Sequence, residues 1–290
     1  MNKIKILTDS ACDLPISYVK ENDIEVVCLK VNITGDFIND DLGQTLKYDW
    51  FYDQIREGAT PTTAQANAYE FEEAFKKYTD EGYSVICLTI ASPLSGTYNS
   101  ANIAKESILE ENPNADVTVI DSLSVSLGQG ALVYYATEMV KEGKTKEEIV
   151  TWLSNNRSNI NHAIVIDDLE CLKRGGRISS ATALVGGLLN IKPTLSLDDN
   201  GALLPGTKIK GKKKVLRYLA NEVKEKSVNI ENQVIFICHA DCLAEAESLK
   251  ELILEENKVK DVVINYIGTA VGSHGGPGTL AAVFIGNGRA

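Results

Sequence analysis

The chain reads as a two-domain α/β protein, with a mostly parallel first sheet flanked by helices on both faces and a mixed or antiparallel second sheet. Three observations predict this. Residues 1–159 alternate short apolar runs with stretches of helical period, the order expected of a parallel sheet between helices. Residues 160–290 place several strands in succession without intervening helices, as in a mixed or antiparallel sheet. The length of 290 residues suits two domains. The division is expected near Asn159, with any ligand pocket between or beneath loops shared by the two halves.

Taking the elements in order, Ile4–Leu7 is a first strand. Asp13 is a candidate cap and Pro15 a candidate opener for a helix through about Glu21, because proline is tolerated in a first helical turn. Glu25–Val31 is a second strand. The polar stretch Asn32–Thr60 carries few signals beyond the aromatic group Tyr48, Trp50, Phe51 and Tyr52. Phe71, Ala74, Phe75 and Tyr78 recur at i, i+3, i+4 and i+7, which marks one apolar helix face. Ser84–Ile90 is a continuous apolar run, as expected of a strand covered on both faces, and Asp116–Ile120 is another buried strand. A helix bearing Ala101, Ala104 and Ile108 lies between them, and helices follow near Ser126–Lys141 and Lys146–Asn155.

Beyond Asn159, strands are expected at His162–Asp167, Ile191–Leu197 and Ala202–Lys208, with Asp198-Asp199-Asn200-Gly201 as the turn of a hairpin. A basic helix starts near Gly211. Gln233–Cys238, Leu243–Glu256, Asp261–Ile267 and Leu280–Ile285 then give strand, helix, strand and strand.

Composition narrows the functional classes. With 29 basic against 40 acidic residues the net charge is −11, which argues against nucleic acid or an anionic membrane surface as the main partner. An anionic ligand must therefore be caught by local donors. The opening MNKIKIL is too short and polar for a secretory leader, and no apolar run reaches a membrane-spanning length. Six cysteines lack any C-x-x-C pair and only three histidines are present, so neither a zinc site nor a disulfide framework is expected. A cytoplasmic protein without metal or cofactor fits this pattern.

Four segments have the make-up of a site. Ser92-Pro93-Leu94-Ser95-Gly96-Thr97-Tyr98 follows a buried strand and opens a helix. Its free backbone N–H groups suit an anion, with Ser95 adding a hydroxyl and Gly96 allowing close approach; Ser95 could equally be a helix cap. Ala59-Thr60-Pro61-Thr62-Thr63-Ala64-Gln65 offers hydroxyls and an amide, and would serve as a loop and N-cap as readily as a site. Leu172-Lys173-Arg174-Gly175-Gly176-Arg177-Ile178 puts two arginines around a glycine pair. Gly272-Ser273-His274-Gly275-Gly276-Pro277-Gly278 holds a histidine that can orient a hydroxyl, accept a proton or satisfy buried carbonyls.

Taken in order, Thr8-Asp9-Ser10-Ala11-Cys12-Asp13-Leu14, Pro61-Thr62-Thr63-Ala64-Gln65, Leu94-Ser95-Gly96-Thr97-Tyr98, Arg174-Gly175-Gly176-Arg177-Ile178, Ile191-Lys192-Pro193 and His274-Gly275-Gly276-Pro277-Gly278 resemble the DegV family along nearly the whole chain. The resemblance implies a non-enzymatic carrier for a long-chain fatty acid such as palmitate. Its carboxylate would be met by Thr63 and Ser95, with Thr62, Gly96, Arg174 and His274 supporting that end. It further implies, for some members, a separate acyl kinase that phosphorylates the carried lipid. The chain departs from the family pattern at Ala64, Ala66 and Asn67, where serine, proline and serine are usual.

The physical chemistry suits such a ligand. At about 0.8 kcal/mol per buried CH₂, roughly fourteen methylenes contribute about 11 kcal/mol before ordering costs, so an apolar wall would hold the molecule and the hydroxyls would orient it. Wall candidates are Ile90, Leu94, Ile164, Ile166, Leu188 and Leu189. The basic segment Lys208, Lys210, Lys212, Lys213, Lys214 and Arg217 is either a docking face for a kinase or a solvated helix face. The competing class is a hydrolase or acyltransferase pairing Ser95 with His274, although no G-x-S-x-G elbow is present.

Overall fold

The computed structural model describes residues 3–178 and 191–289. The first half contains β1 (Lys3–Asp9), α1 (Ile16–Glu21), β2 (Glu25–Val27), β3 (Lys30–Asn32), β4 (Phe37–Asn39), α2 (Tyr48–Arg56), β5 (Thr62–Ala64), α3 (Ala68–Thr79), β6 (Tyr83–Thr89), α4 (Thr97–Glu111), β7 (Val117–Asp121), α5 (Leu127–Lys141) and α6 (Lys146–Asn156). The second contains β8 (Ile160–Val165), α7 (Glu170–Arg174), β9 (Ile191–Leu197), β10 (Leu203–Lys210), α8 (Lys212–Lys226), β11 (Val234–His239), α9 (Leu243–Glu256), β12 (Asp261–Tyr266), α10 (Thr269–Gly275) and β13 (Leu280–Ile285).

Strands β2-β1-β6-β7 form a parallel sheet, and β10-β9-β8-β13-β11-β12 form a mixed sheet in which only β11 and β12 run parallel. Helices α3 and α4 cover one face of the parallel sheet, burying Phe71, Phe75, Ala101 and Ala104 against Leu7, Val85 and Cys87. Helices α8 and α9 cover one face of the mixed sheet. Between the sheets lies α5, which touches β1 and β6 on one side and β8, β11 and β13 on the other. Its sequence LGQGALVYYA is nearly free of charge because both sides are buried, and the core around it is continuous from one sheet to the other.

A third, small antiparallel sheet, β4-β3-β5, is not apparent in the sequence. Glu25–Val31, expected as one strand, is divided: Val27 pairs with Asp9 in the parallel sheet, whereas Val31 pairs with Thr63 in the small one. The cause is Ser10, whose hydroxyl accepts the Leu29 N–H at 2.9 Å and takes the backbone out of the first ladder. Strand β5 falls where a loop and cap were expected, and the cap of α3 is instead Asn67, in a reciprocal capping box with Glu70. Nor does Asp13 cap α1. It sits at φ 51° after a short 3-10 turn, and α1 opens at Pro15 without a side-chain cap. The two glycine-rich segments of the second half carry short helices, α7 and α10, rather than turns alone. Asp198–Gly201 does form the turn between β9 and β10, with Gly201 at φ 86° and the Asp198 carboxylate accepting the Asn200 and Ala202 N–H groups.

Candidate functional site

A cavity of about 390 Å³ lies where the two large sheets, the small sheet and α10 meet. Its walls are aliphatic, with Ile90, Leu94, Ile164, Ile166, Leu195 and Leu203 among them. Four of the six wall residues expected from the sequence are therefore here; Leu188 and Leu189 lie outside the described residues. Strand alternation explains the β8 contribution, since Ile164 and the following Ile166 face the cavity while Ala163 and Val165 pack under α8.

The polar groups at one end come from four separate elements. Thr63, on β5, lies 2.9 Å from His274 Nε2 through its hydroxyl, and His274 is on α10. Ser95, in the turn before α4, shares a hydrogen bond with the Thr97 hydroxyl at 2.8 Å. Gln65 lines the cavity and donates its amide to the Ser100 hydroxyl at 2.9 Å. Arg177 lines it too, donating from Nε to the Leu94 carbonyl at 3.1 Å and from a terminal nitrogen to the Gly175 carbonyl.

The other expected site residues lie just outside. Thr62 is exposed, because on a strand it must face away from Thr63. Gly96 is exposed at the start of α4, and its missing side chain is the space the Gln65 amide fills: a Cβ there would lie 2.1 Å from Oε1. Arg174 is exposed beside Cys171, one helical turn back. The turn at Gly175-Gly176, with φ 72° at Gly176, reverses the chain so that Arg177 faces inward instead. Gly175 also admits His274, since a Cβ at this position would lie 2.1 Å from the ring Nδ1.

His274 is held neutral. Burial foremost, with Arg177 and Arg174 adding to it, pushes its pKa down to about 4. Among the described residues its Nδ1 has no hydrogen-bond partner, and its Nε2 pairs with Thr63 rather than Ser95. A serine hydrolase needs a Ser–His hydrogen bond and an acid on the far ring nitrogen; the described residues supply neither.

Buried carboxylates fasten this end together. Asp40 accepts from the Thr269 hydroxyl at 2.9 Å and the Ala270 N–H at 3.2 Å, and from the Ser10 hydroxyl at 3.4 Å. It thereby ties the small sheet bearing Thr63 to the start of α10 bearing His274. Asp9 accepts from the N–H groups of Ala11 and Ile90 and from Gln129. Burial raises the pKa of both Asp9 and Asp40 to about 6, against the pull of these donors. Asp13 is raised well above the usual carboxylate range by burial and by Asp40. Among the described residues no group of three or more His, Cys, Asp or Glu stands together as metal ligands would. None of their helices is long and apolar enough to cross a membrane.

The basic segment divides. Lys212 pairs with Glu245 at 2.6 Å and Arg217 with Glu256. Helix α8 covers the face of the mixed sheet opposite the cavity.

A mainly aliphatic chamber with hydroxyls, an amide and one cation gathered at one end suits an amphiphile. The comparisons agree with that class. The DegV family model, which describes an uncharacterised protein family, matches residues 3–287. A DegV domain-containing protein of Clostridium perfringens is 47% identical over 287 residues, covering 99% of each chain. A DegV lipid-binding protein from Thermotoga maritima superposes with TM-score 0.87 at 31% identity, covering 99% of this chain and 100% of its own. A fatty-acid-binding DegV family protein from Thermus thermophilus does so with TM-score 0.88 at 29% identity, covering 98% and 99%. The chain belongs to the DegV family.

Proposed function

We propose that this protein is a cytoplasmic carrier for one long-chain fatty acid, with the tail in the cavity and the carboxylate at Thr63 and Ser95. The observation that carries the reading is the distribution of polarity around the chamber, whose walls are mainly aliphatic while the Thr63 and Ser95 hydroxyls, the Gln65 amide and Arg177 gather at one end. A buried carboxylate without donors is heavily penalised, and these groups offset that cost. With His274 protonated on Nε2, Thr63 accepts from the ring and keeps its own proton to donate to the ligand. The solved relatives from Thermotoga maritima and Thermus thermophilus support a lipid cargo. Six free cysteines suit a reducing compartment.

The carrier has no catalysis of its own in this reading. A separate acyl kinase reaches the carboxylate at the polar end, where Thr63, Ser95 and His274 are half-buried rather than sealed. Native mass spectrometry of freshly purified protein, paired with mass spectrometry of its organic extract, tests the cargo. One fatty acid per chain is the expected result; a protein that is empty and refuses added fatty acids would overturn it.

A further inference from the structure

The mixed sheet ends differently on its two sides. The edge strand β10 carries guards against pairing with another chain: Pro205, a register break between Pro205 and Lys208, and the lysines 208 and 210. The opposite edge strand, β12, has none of them. Its sequence, Asp261-Val262-Val263-Ile264-Asn265-Tyr266, pairs residue for residue with β11, from Val234 with Asp261 to His239 with Tyr266. Val262 and Ile264 pack into the core under α9, and Val263 and Tyr266 into the core on the other face. Both faces are thus covered, yet among the described residues no strand pairs with the outer edge. An unbroken, β-branched edge of this kind is a template for a further strand.

Helix α9 adds a second surface beside that edge. It covers β11 and β12, whereas α8 lies further in, over β8, β10 and β13. Ala246, Leu249 and Ile253 of α9 are buried against the sheet. Glu245 and Glu256 face α8, the first pairing with Lys212 and the second with Arg217 and Lys224. At about 3.6 residues per turn, Leu243, Glu247, Lys250 and Leu254 fall on the remaining flank, which overhangs the β12 edge. Leu243 is 48% exposed and Leu254 46%.

Turned end for end, this stripe meets itself. Leu243 then faces Leu254 of a second copy, and Glu247 faces Lys250 of that copy. The same reversal extends the sheet, because a two-fold axis perpendicular to it sets β12 antiparallel to β12 and α9 antiparallel to α9. The charge order along α9 therefore selects a second copy of this chain as the occupant of the edge. We propose that the protein forms a two-fold dimer through β12, joining two six-stranded sheets into one, with the α9 flanks packed beside the junction.

Sedimentation equilibrium of the full chain is the test. A monomer–dimer equilibrium with a dissociation constant below roughly 100 μM is expected. Glu247→Lys and Lys250→Glu each bring like charges together twice across the axis, so each should weaken the dimer by about tenfold. The double variant Glu247→Lys with Lys250→Glu restores opposite charges and should return to within about threefold of the parent, a non-additivity that only groups in contact show. None of these side chains lines the cavity, so circular dichroism and fatty-acid uptake should be unchanged in all three variants. A chain that stays monomeric to roughly 100 μM overturns the proposal and leaves the edge to a segment of a different protein. A dimer indifferent to both single reversals overturns it too, as does a double variant no tighter than the singles.

Discussion

The two ends of the cavity treat their polar atoms in opposite ways. At the outer end Thr63, Ser95, Gln65 and Arg177 are each tied to a neighbour, and the elements bearing Thr63 and His274 are joined through Asp40. At the inner end the ring nitrogens of His162 are buried against the protein, with no side-chain partner among the described residues. Preorganised donors cost little to present to a ligand, because their geometry is set before it arrives. Burial instead holds that ring neutral, its pKa pushed down to about 3. The contrast puts the groups able to orient a ligand at the first end.

The comparison can be broken most severely at the outer end. The double variant Thr63→Val with Ser95→Ala should weaken fatty-acid binding on the order of 100-fold, since each hydrogen bond to a charged group is worth about 1.5–3 kcal/mol. Its melting temperature should stay close to that of the parent. Fluorescent-lipid displacement with circular dichroism checks both, and undiminished affinity would remove these hydroxyls from the site. Next in size is Gly175→Ala, which puts a methyl into the His274 ring. A loss of about 1–3 kcal/mol in denaturant stability is expected, as for other forced overpacking; an unchanged midpoint would mean that the ring moves freely.

The two arginines sharpen the picture at about the tenfold level. Arg177→Gln should reduce affinity by roughly tenfold, because its charge faces the cavity, whereas Arg174→Gln should change it less than about twofold, as screened exposed charges do. Isothermal titration would expose an error if the order were reversed.

The smallest effect concerns acid. His162 and His274 have pKa values pushed to about 3 and about 4, chiefly by burial. In the unfolded chain they titrate near 6.5. Their stabilising contribution is therefore complete above pH 6.5 and is lost as pH falls toward the folded values. Asp9 and Asp40, raised to about 6, act in the opposite sense, their burial penalty being relieved as pH falls from about 6 to 4. The His162→Leu variant removes one histidine from this balance. Its melting temperature relative to the parent should rise as pH goes from 7 to 5, and a difference that stays constant with pH would contradict the neutral, buried ring.

Much of the scaffold was legible because its signals are local. The apolar runs Ser84–Ile90 and Val117–Ile120 are strands, and the spacing of Phe71, Ala74, Phe75 and Tyr78 is that of a helix with one buried side. The small sheet was not legible, since β3, β4 and β5 have three residues each and too little length for a period to show. Ser10 divides one apolar run between two sheets from nineteen positions away, and no local pattern carries that information.

The site shows the same split. The sequence by itself determined the family, the α/β class and the hydroxyls Thr63 and Ser95 as candidates, because motif order and residue type are properties of the chain. Only the tertiary structure decided that Arg177 rather than Arg174 faces the cavity, that His274 pairs with Thr63, and that His162 is buried against α5. Those facts depend on which way a turn points a side chain and on what distant segments bring beside it. A glycine at 175 or 128 leaves room for a ring from another element, and that room exists only once the chain has folded.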